Sequence, residues 1–452
     1  MNLRGIHRLP FRLFRSVSAS YWFLPTLLLI LALATAAVTL AIDYRVDDWP
    51  RAVGWLTPDE ASAIRDLMGI IAGSMITVAG VAFSLTIAAF AHASATFGPR
   101  LITNFMSDRG NQVTLGVFVA TFAFCMAVLV STHGGGDGEE AFLPHLSVVV
   151  ALGLTLASLT VLIYFIHHVP EMLNISNILG RLGHNLHHHV AGLEEDDADD
   201  ADIPPETASR QAVDAPRSGY VQNVNRHALI ELAAERGLVV NLACPQGGFA
   251  VQGHPLLTVA GDDPLDDPLT EEDADALVEV VALGDERTAN QDIVFIIDQL
   301  VEVAARALSP AVNDPFTAIT AMNWAGSALC RLARKAPPRR VWRDETGAAR
   351  LIEIPVTFET MADHFLDNMR PHVHGSRAAA LRLMQVLRLI AGEKLTAGQR
   401  RLITRHAHAI HDGCETEIAH PRDMAAIAEE RDRVLAVLRS HHDADDGAAL
   451  EL

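Results

Sequence analysis

Four stretches without a charged side chain, residues 16–42, 67–91, 113–132 and 141–166, fill most of the first 170 positions. They run 27, 25, 20 and 26 residues. At about 1.5 Å rise per residue, each helix of that length covers a hydrocarbon core about 30 Å thick. A large soluble core can bury one such helix, but four in succession are hard to bury any other way than in lipid. The sequence therefore predicts four membrane-spanning helices. The first run is too long for a cleavable signal peptide and is followed by no clear processing site.

Charge on the connections predicts their orientation. The tail before the first run carries Arg4, Arg8, Arg12 and Arg15 and no acid. The first loop sets Asp43, Asp47, Asp48, Asp59 and Glu60 against Arg45 and Arg51. The second carries Arg100 and Arg109 against Asp108, and the third only Asp137, Glu139 and Glu140. That alternation fits a positive-inside arrangement with both termini in the cytoplasm.

Residues 1–190 hold ten basic and eleven acidic side chains, leaving 25 against 44 in residues 191–452. The second half thus carries nearly all of the net charge of -20. A surface that acidic is repelled by nucleic acid and by anionic lipid, and no nucleic-acid partner is expected. Cys125, Cys244, Cys330 and Cys414 stand far apart with no CxxC pair, as free thiols of a reducing compartment do.

The pattern divides the chain into seven parts. They are a basic cytosolic tail (1–15), a four-span transmembrane domain (16–170), a His-rich membrane-exit helix (171–192), an acidic linker (193–217), a small β-rich unit (218–262), a helical cytosolic domain (263–440) and a disordered tail (441–452). The expected fold class is mainly α, with a cytosolic α+β domain following the spans. In the β unit, strands at 220–224 and 238–242 flank a helix at 226–235, and 247–256 reads as strand, glycine turn, strand. That order is similar to half of a barrel-sandwich hammerhead. The absence of lysine between residues 219 and 260 argues against a prosthetic-group carrier. Helices are expected at 274–283, behind a Thr270/Asp273 capping pair, and at 291–308, 316–333, 358–369, 376–391, 396–414 and 422–440.

Three constellations invite a functional reading. In the second span Asp66, Gly69, Gly73, Thr77, Gly80, Ser84 and Ala88 share an arc of about 100°, interrupted by Ile87. Small residues let helices pack closely within a subunit. They equally suit copies of one helix crowded round a pore, with Asp66 at its outer mouth favouring cations. His184, His187 and His188 stand at i, i+3, i+4 and can share a helix face. They are weak candidates for zinc, copper or nickel, and more simply a solvated His-rich helix. Arg306, Ser309, Asn313 and Asp314 lie at a turn between two helices. Asp314 with Pro315 reads as an N-cap and first-turn proline, and a ligand contact is the rarer use of such a corner. No Walker loop, dinucleotide fingerprint, HExxH or GxSxG is present, and no nucleophile–base pair supports an enzyme.

Several motifs together resemble a known family. They are Phe97-Gly98-Pro99-Arg100, Asp108-Arg109-Gly110-Asn111-Gln112, Gly219-Tyr220-Val221-Gln222, Arg287-Thr288 with Gln291-Asp292, and above all the run from Arg306 through Pro310, Asn313-Asp314-Pro315 and Ala318. The chain is similar over about residues 10–435 to the bacterial predicted membrane proteins called domain of unknown function 2254. The resemblance implies a bacterial cytoplasmic membrane and no established activity. The expectation is an inner-membrane homo-oligomer that passes an ion or small solute, without cofactor. The competing one is a membrane-anchored sensor or scaffold. Its expected partners are the lipid bilayer and further copies of itself.

Overall fold

The computed structural model describes residues 22–46, Pro58, 60–98, 108–133, 142–194, 210–261, 269–289 and 291–449. The basic tail, most first-loop charges, the joint at 99–107, the acids of the third loop and linker residues 195–209 lie outside the described residues. The chain forms two compact units, residues 1–177 and 178–452.

The first unit holds four helices long and apolar enough to cross a membrane: α1 (Phe23–Asp43), α2 (Ala61–Phe97), α3 (Arg109–Ser131) and α4 (His145–Leu173). Helix α3 packs against the other three, and Phe118, Phe124, Cys125 and Val128 are buried at its centre. Gly116 admits α1, because a Cβ there would come within 2.6 Å of Leu28 Cδ1 and 3.1 Å of Pro25 Cα. Thr121 and Ser158, both fully buried, lie hydroxyl to hydroxyl at 3.0 Å between α3 and α4. Their mutual hydrogen bond satisfies two polar groups that lipid would leave unpaired.

Helix α5 (Ile175–Gly192) follows at Asn174, and the second unit combines two sheets with a helical bundle. The strands are β1 (Gln211–Asp214), β2 (Gly219–Val224), β3 (Leu238–Leu242), β4 (Phe249–Ala250), β5 (Pro255–Gly261), β6 (Val281–Gly284), β7 (Val341–Arg343) and β8 (Ala349–Ile352). One sheet has the order β1-β5-β3-β8-β7, with only β3 and β8 parallel; the other is β4-β2-β6. Helix α6 (Arg226–Glu235) buries Leu229 and Ala233 in the core that these strands share. Helix α7 (Glu271–Glu279) begins at Thr270, whose side chain accepts from Asp273 N as the capping pair predicts.

The sheets correct three expectations. The linker was expected to reach residue 217, but 211–214 form β1, paired antiparallel with β5. The β unit was expected to end at 262, but β7 and β8 return to its larger sheet; sequence-local reading misses strands brought in from far along the chain. A helix was expected at 274–283, but α7 ends at Glu279 and β6 follows. There Val281 and Leu283 pair with β2, and tertiary pairing overrides helical pattern.

The bundle comprises α8 (Ile293–Ala307), α9 (Pro315–Ala333), α10 (Phe358–Val373), α11 (Arg377–Ala391), α12 (Ala397–Glu417) and α13 (Pro421–Ala449). Ile296, Ile297, Leu300, Val303 and Ala304 give α8 a buried face at helical spacing. Helix α13 extends into the tail that was expected to be disordered from residue 441.

Candidate functional site

The small-residue face of α2 points away from the rest of the first unit. Asp66, Gly69, Gly73, Thr77, Gly80, Ser84 and Ala88 are all exposed on the first unit. The opposite face, with Ile64, Met68, Ala72, Met75 and Ala79, is the one buried against the bundle. Ile71 and Ala82 are buried as well. Among the described residues of the first unit, packing is therefore not what the stripe does. Large Ile and Met side chains alternating with Ala fill the groove beside α3, and dispersion contacts of that kind hold helices together in lipid. A Cβ added at Gly73 or Gly80 would meet nothing within 4 Å. Thr77 donates its hydroxyl to Gly73 O at 2.7 Å, so its polar group is satisfied along the helix.

The motif at 108–112 forms the junction of α3 and α4. Asp108 caps α3 by accepting from Asn111 N at 3.0 Å, and its Oδ1 lies 2.9 Å from His168 Nε2. Gly110 gives room for this, since a Cβ there would sit 2.6 Å from the Tyr164 hydroxyl oxygen and 2.7 Å from His168 Nε2.

The histidines of α5 do not converge on one point. The rings of His184 and His187 stand edge-on to Trp324, at 4.9 and 6.1 Å between centroids. His187 Nε2 lies 3.1 Å from Ser327 Oγ. Burial, then the charges of Arg331 and His184, lower the His187 pKa and favour its neutral form. His188 instead turns to the wall of a cleft. The metal expectation for His184, His187 and His188 is thus replaced by an aromatic cluster docking α5 on α9. Among the described residues, three ligand atoms come together at Asp363, Asp367 and His406 and at His411, Asp412 and Glu415. In the first group the Arg405 guanidinium is already ion-paired with Asp363, where a cation would sit.

The corner at 306–317 is built as a cap. Asp314 Oδ1 accepts from Phe316 N at 3.1 Å and Thr317 N at 3.2 Å, and its Oδ2 accepts from Thr317 Oγ1 at 2.6 Å. The Thr317 hydroxyl holds the Asp314 carboxyl below the usual range, with burial opposing. Asn313 takes a left-handed φ of 50°, which asparagine tolerates better than most residues. Ser309 donates to Arg306 O at 2.6 Å, and Arg306 Nη2 reaches Glu302 Oε1 at 3.4 Å.

The motif at 287–292 ties the small sheet to the bundle. Gln291 pairs with the backbone of Val224 in both directions, accepting its N–H at 2.9 Å and donating to its carbonyl at 3.3 Å. Asp292 caps α8 through Phe295 N at 2.9 Å and accepts from Arg287 Nε at 2.7 Å. Burial raises the Asp292 pKa even so, opposed by Arg287. Arg287 also reaches Asp298 Oδ2 at 2.6 Å, and Asp298 Oδ1 lies 2.5 Å from His364 Nε2. Gly247, at φ +78°, rests its Cα against the Asp292 carboxylate, which a side chain would displace.

Beside this network a cleft of about 360 Å³ opens within the second unit. Glu353 stands in its wall, 7% exposed. It accepts from Arg226 Nε at 2.8 Å, Trp342 Nε1 at 3.0 Å and Gln246 Nε2 at 3.2 Å. The guanidinium carbons of Arg226 and Arg339 lie over the Trp342 ring, 5.0 and 5.3 Å from its centroid. Sequence reasoning passed over all five residues. A usable signal was present, because residues 331–343 carry six basic side chains, one tryptophan and no acid inside the acidic half.

Comparison with known proteins agrees with the four apolar helices. A family model described as "Predicted membrane protein (DUF2254)" matches residues 18–389. An uncharacterized protein of Mycobacterium bovis is 30% identical over 427 residues, covering 91% of this chain and 79% of its own length. An uncharacterized protein of Mycobacterium tuberculosis matches with the same identity and coverage. No solved structure matches. With its motifs at 108–112, 287–292 and 306–318 in place, the chain belongs to the DUF2254 family of predicted membrane proteins.

Proposed function

We propose that the protein is a homo-oligomer of the bacterial cytoplasmic membrane that passes an ion or small solute between copies of α2, with the second unit as its regulatory part. It performs no chemistry of its own. The observation carrying this reading is the exposure of all seven stripe residues on the face of α2 turned from its own bundle. Small side chains let backbones crowd round an axis, and Thr77, Ser84 and Asp66 supply the polar groups a wet axis needs. At 37 residues α2 is about 55 Å long, which leaves length beyond the hydrocarbon core for polar mouths. The arginine-rich tail supports cytoplasmic termini.

A second reading, a membrane-anchored sensor, is favoured by the ligand-sized cleft in the second unit. Gly80→Cys tests whether copies meet along α2, and Ser84→Asp separates the two readings. Gly80→Cys adds a thiol where nothing lies within 4 Å, and oxidation is expected to link copies into dimers that the parent does not form. Ser84→Asp on a wet axis leaves assembly intact and shifts liposome flux toward cations. Against lipid or a packed helix it costs about 2.5–3.5 kcal/mol and assembly collapses. Intact oligomers without flux under varied pH and voltage overturn the pore and leave the anchor.

A further inference from the structure

The cleft of the second unit differs in electrostatic character from the surface around it. Its two buried carboxylates are already engaged. Glu353 has three donors, and Asp292, 5% exposed, holds Arg287 and the first turn of α8. A carboxylate with donors on both oxygens has little left to offer a ligand.

The cations are placed otherwise. The Arg226 and Arg339 side chains are each 34% exposed, and both line the cleft. Arg226 reaches Glu353 through Nε, so its two terminal nitrogens lie beyond that bond. Arg339 shares Nη1 with Glu194, a side chain 54% exposed and easily displaced. Both guanidinium carbons lie over the Trp342 ring, which gives each arginine a cation–π contact. Helices α6 and α8 also begin on the lining, at Arg226 and Ile293, but their first turns are already capped by Asn225 and Asp292. The remaining wall is mixed: Leu242, Ile354 and Val356 give it an apolar part, beside His188, His189, Gln246 and Gln291.

We propose that this cleft binds a small organic anion, its oxyanion head between Arg226 and Arg339 and its apolar body against Leu242, Ile354 and Val356. The volume suits one small molecule, since ligand sites run about 300–1,000 Å³. Planar guanidinium groups match carboxylate and phosphate oxygens in a way a diffuse basic patch does not. Net charge on the second half of the chain repels anions at long range, so selection rests on these short contacts. This inference does not depend on conduction, and it holds for a channel or an anchored sensor alike.

The test uses the full-length protein in lipid nanodiscs, with phenyl phosphate and benzoate as probes and benzyl alcohol as the neutral control. Calorimetric titration is expected to show saturable binding of phenyl phosphate or benzoate, about tenfold or more tighter than benzyl alcohol. Arg339→Gln gives up the exposed pairing with Glu194 and the contact over Trp342, so it is expected to remain folded and to weaken the anion about tenfold or more. Arg226→Lys retains the charge opposite Glu353 and loses the fork, with a comparable loss of affinity. Should Arg226→Lys unfold, Arg339→Gln alone decides. No saturable binding of either anion up to roughly 10 mM, benzyl alcohol binding as tightly as the anions, or equal affinity in folded Arg339→Gln overturns the proposal.

Discussion

Asp43, in the last turn of α1, caps α4 at Ser147, 104 residues away. Its Oδ2 accepts from Ser147 N at 3.0 Å and from Ser147 Oγ at 2.7 Å, and its Oδ1 accepts from Leu146 N at 2.9 Å. The residue before α4 is Pro144, which has no side-chain cap to offer. A helix start in or near lipid otherwise leaves its first amides without partners. The carboxylate also sits at the positive end of the α4 dipole.

Asp43→Ala is accordingly expected to destabilise the first unit by about 1–3 kcal/mol, as loss of a buried cap does. Asp43→Asn keeps an acceptor and is expected to lose less. Thermal unfolding in one detergent ranks the two. An alanine variant that melts with the parent removes this cap from the account.

Trp324 lies across Gly183, where a Cβ would overlap the indole ring, and 4.0 Å from the Cβ position of Gly180. Gly183→Ala is expected to force the ring off α5 and cost about 1–3 kcal/mol, the usual penalty of overpacking. Tryptophan emission is expected to shift to the red as Trp324 gains water. Trp324→Leu in the same background is expected to restore part of the lost stability, because the clash goes with the ring.

These relationships mark the limits of reading the chain by itself. The four spans were legible because charge is absent over lengths the bilayer dictates. The caps at Thr270 and Asp314 were legible because a cap and the amides it serves lie within three residues. The inward face of α2 was not, since a stripe of small residues suits close packing against α3 as well as an outward face. Nor was the cleft: Arg226, Gln246, Trp342 and Glu353 meet only after β8 pairs in parallel with β3, which no local period records. The two bonds of Gln291 to Val224 show the same limit, as the motif was visible and its partner was not.

At the α8–α9 corner, Asp314→Asn is expected to be nearly neutral, whereas Asp314→Ala costs about 1 kcal/mol. Asn313→Gly is expected to be tolerated at φ 50°, and Asn313→Val to cost about 1–3 kcal/mol in backbone strain. Denaturant midpoints of the four variants check the pattern. Activity or ligand binding lost in Asp314→Asn at unchanged stability would instead make Asp314 a ligand contact.

The pair of His364 and Asp298 gives the second unit a pH dependence with a definite sign. The hydrogen bond to Asp298 raises the His364 pKa above 6.5, with burial opposing. Burial opposes ionisation of Asp298, but His364 and Arg287 outweigh it and hold that carboxyl below 3.8. A raised histidine contributes stability that is complete below its unfolded pKa and lost as pH rises through the folded one. A depressed carboxylate contributes stability that is complete above its unfolded pKa and lost as pH falls through the folded one. The pair is therefore strongest from about pH 4 to pH 6.5 and weakens above that, as His364 sheds its proton. His364 is 35% exposed, so solvent screening limits the effect to on the order of 1 kcal/mol or less. The measurement is the unfolding midpoint at about pH 6 and pH 8.5, for the parent and for His364→Gln. The parent is expected to lose more stability on going to the higher pH than the glutamine variant does. Equal losses would mean that other groups set the alkaline limit, and an opposite difference would mean that burial outweighs the Asp298 bond.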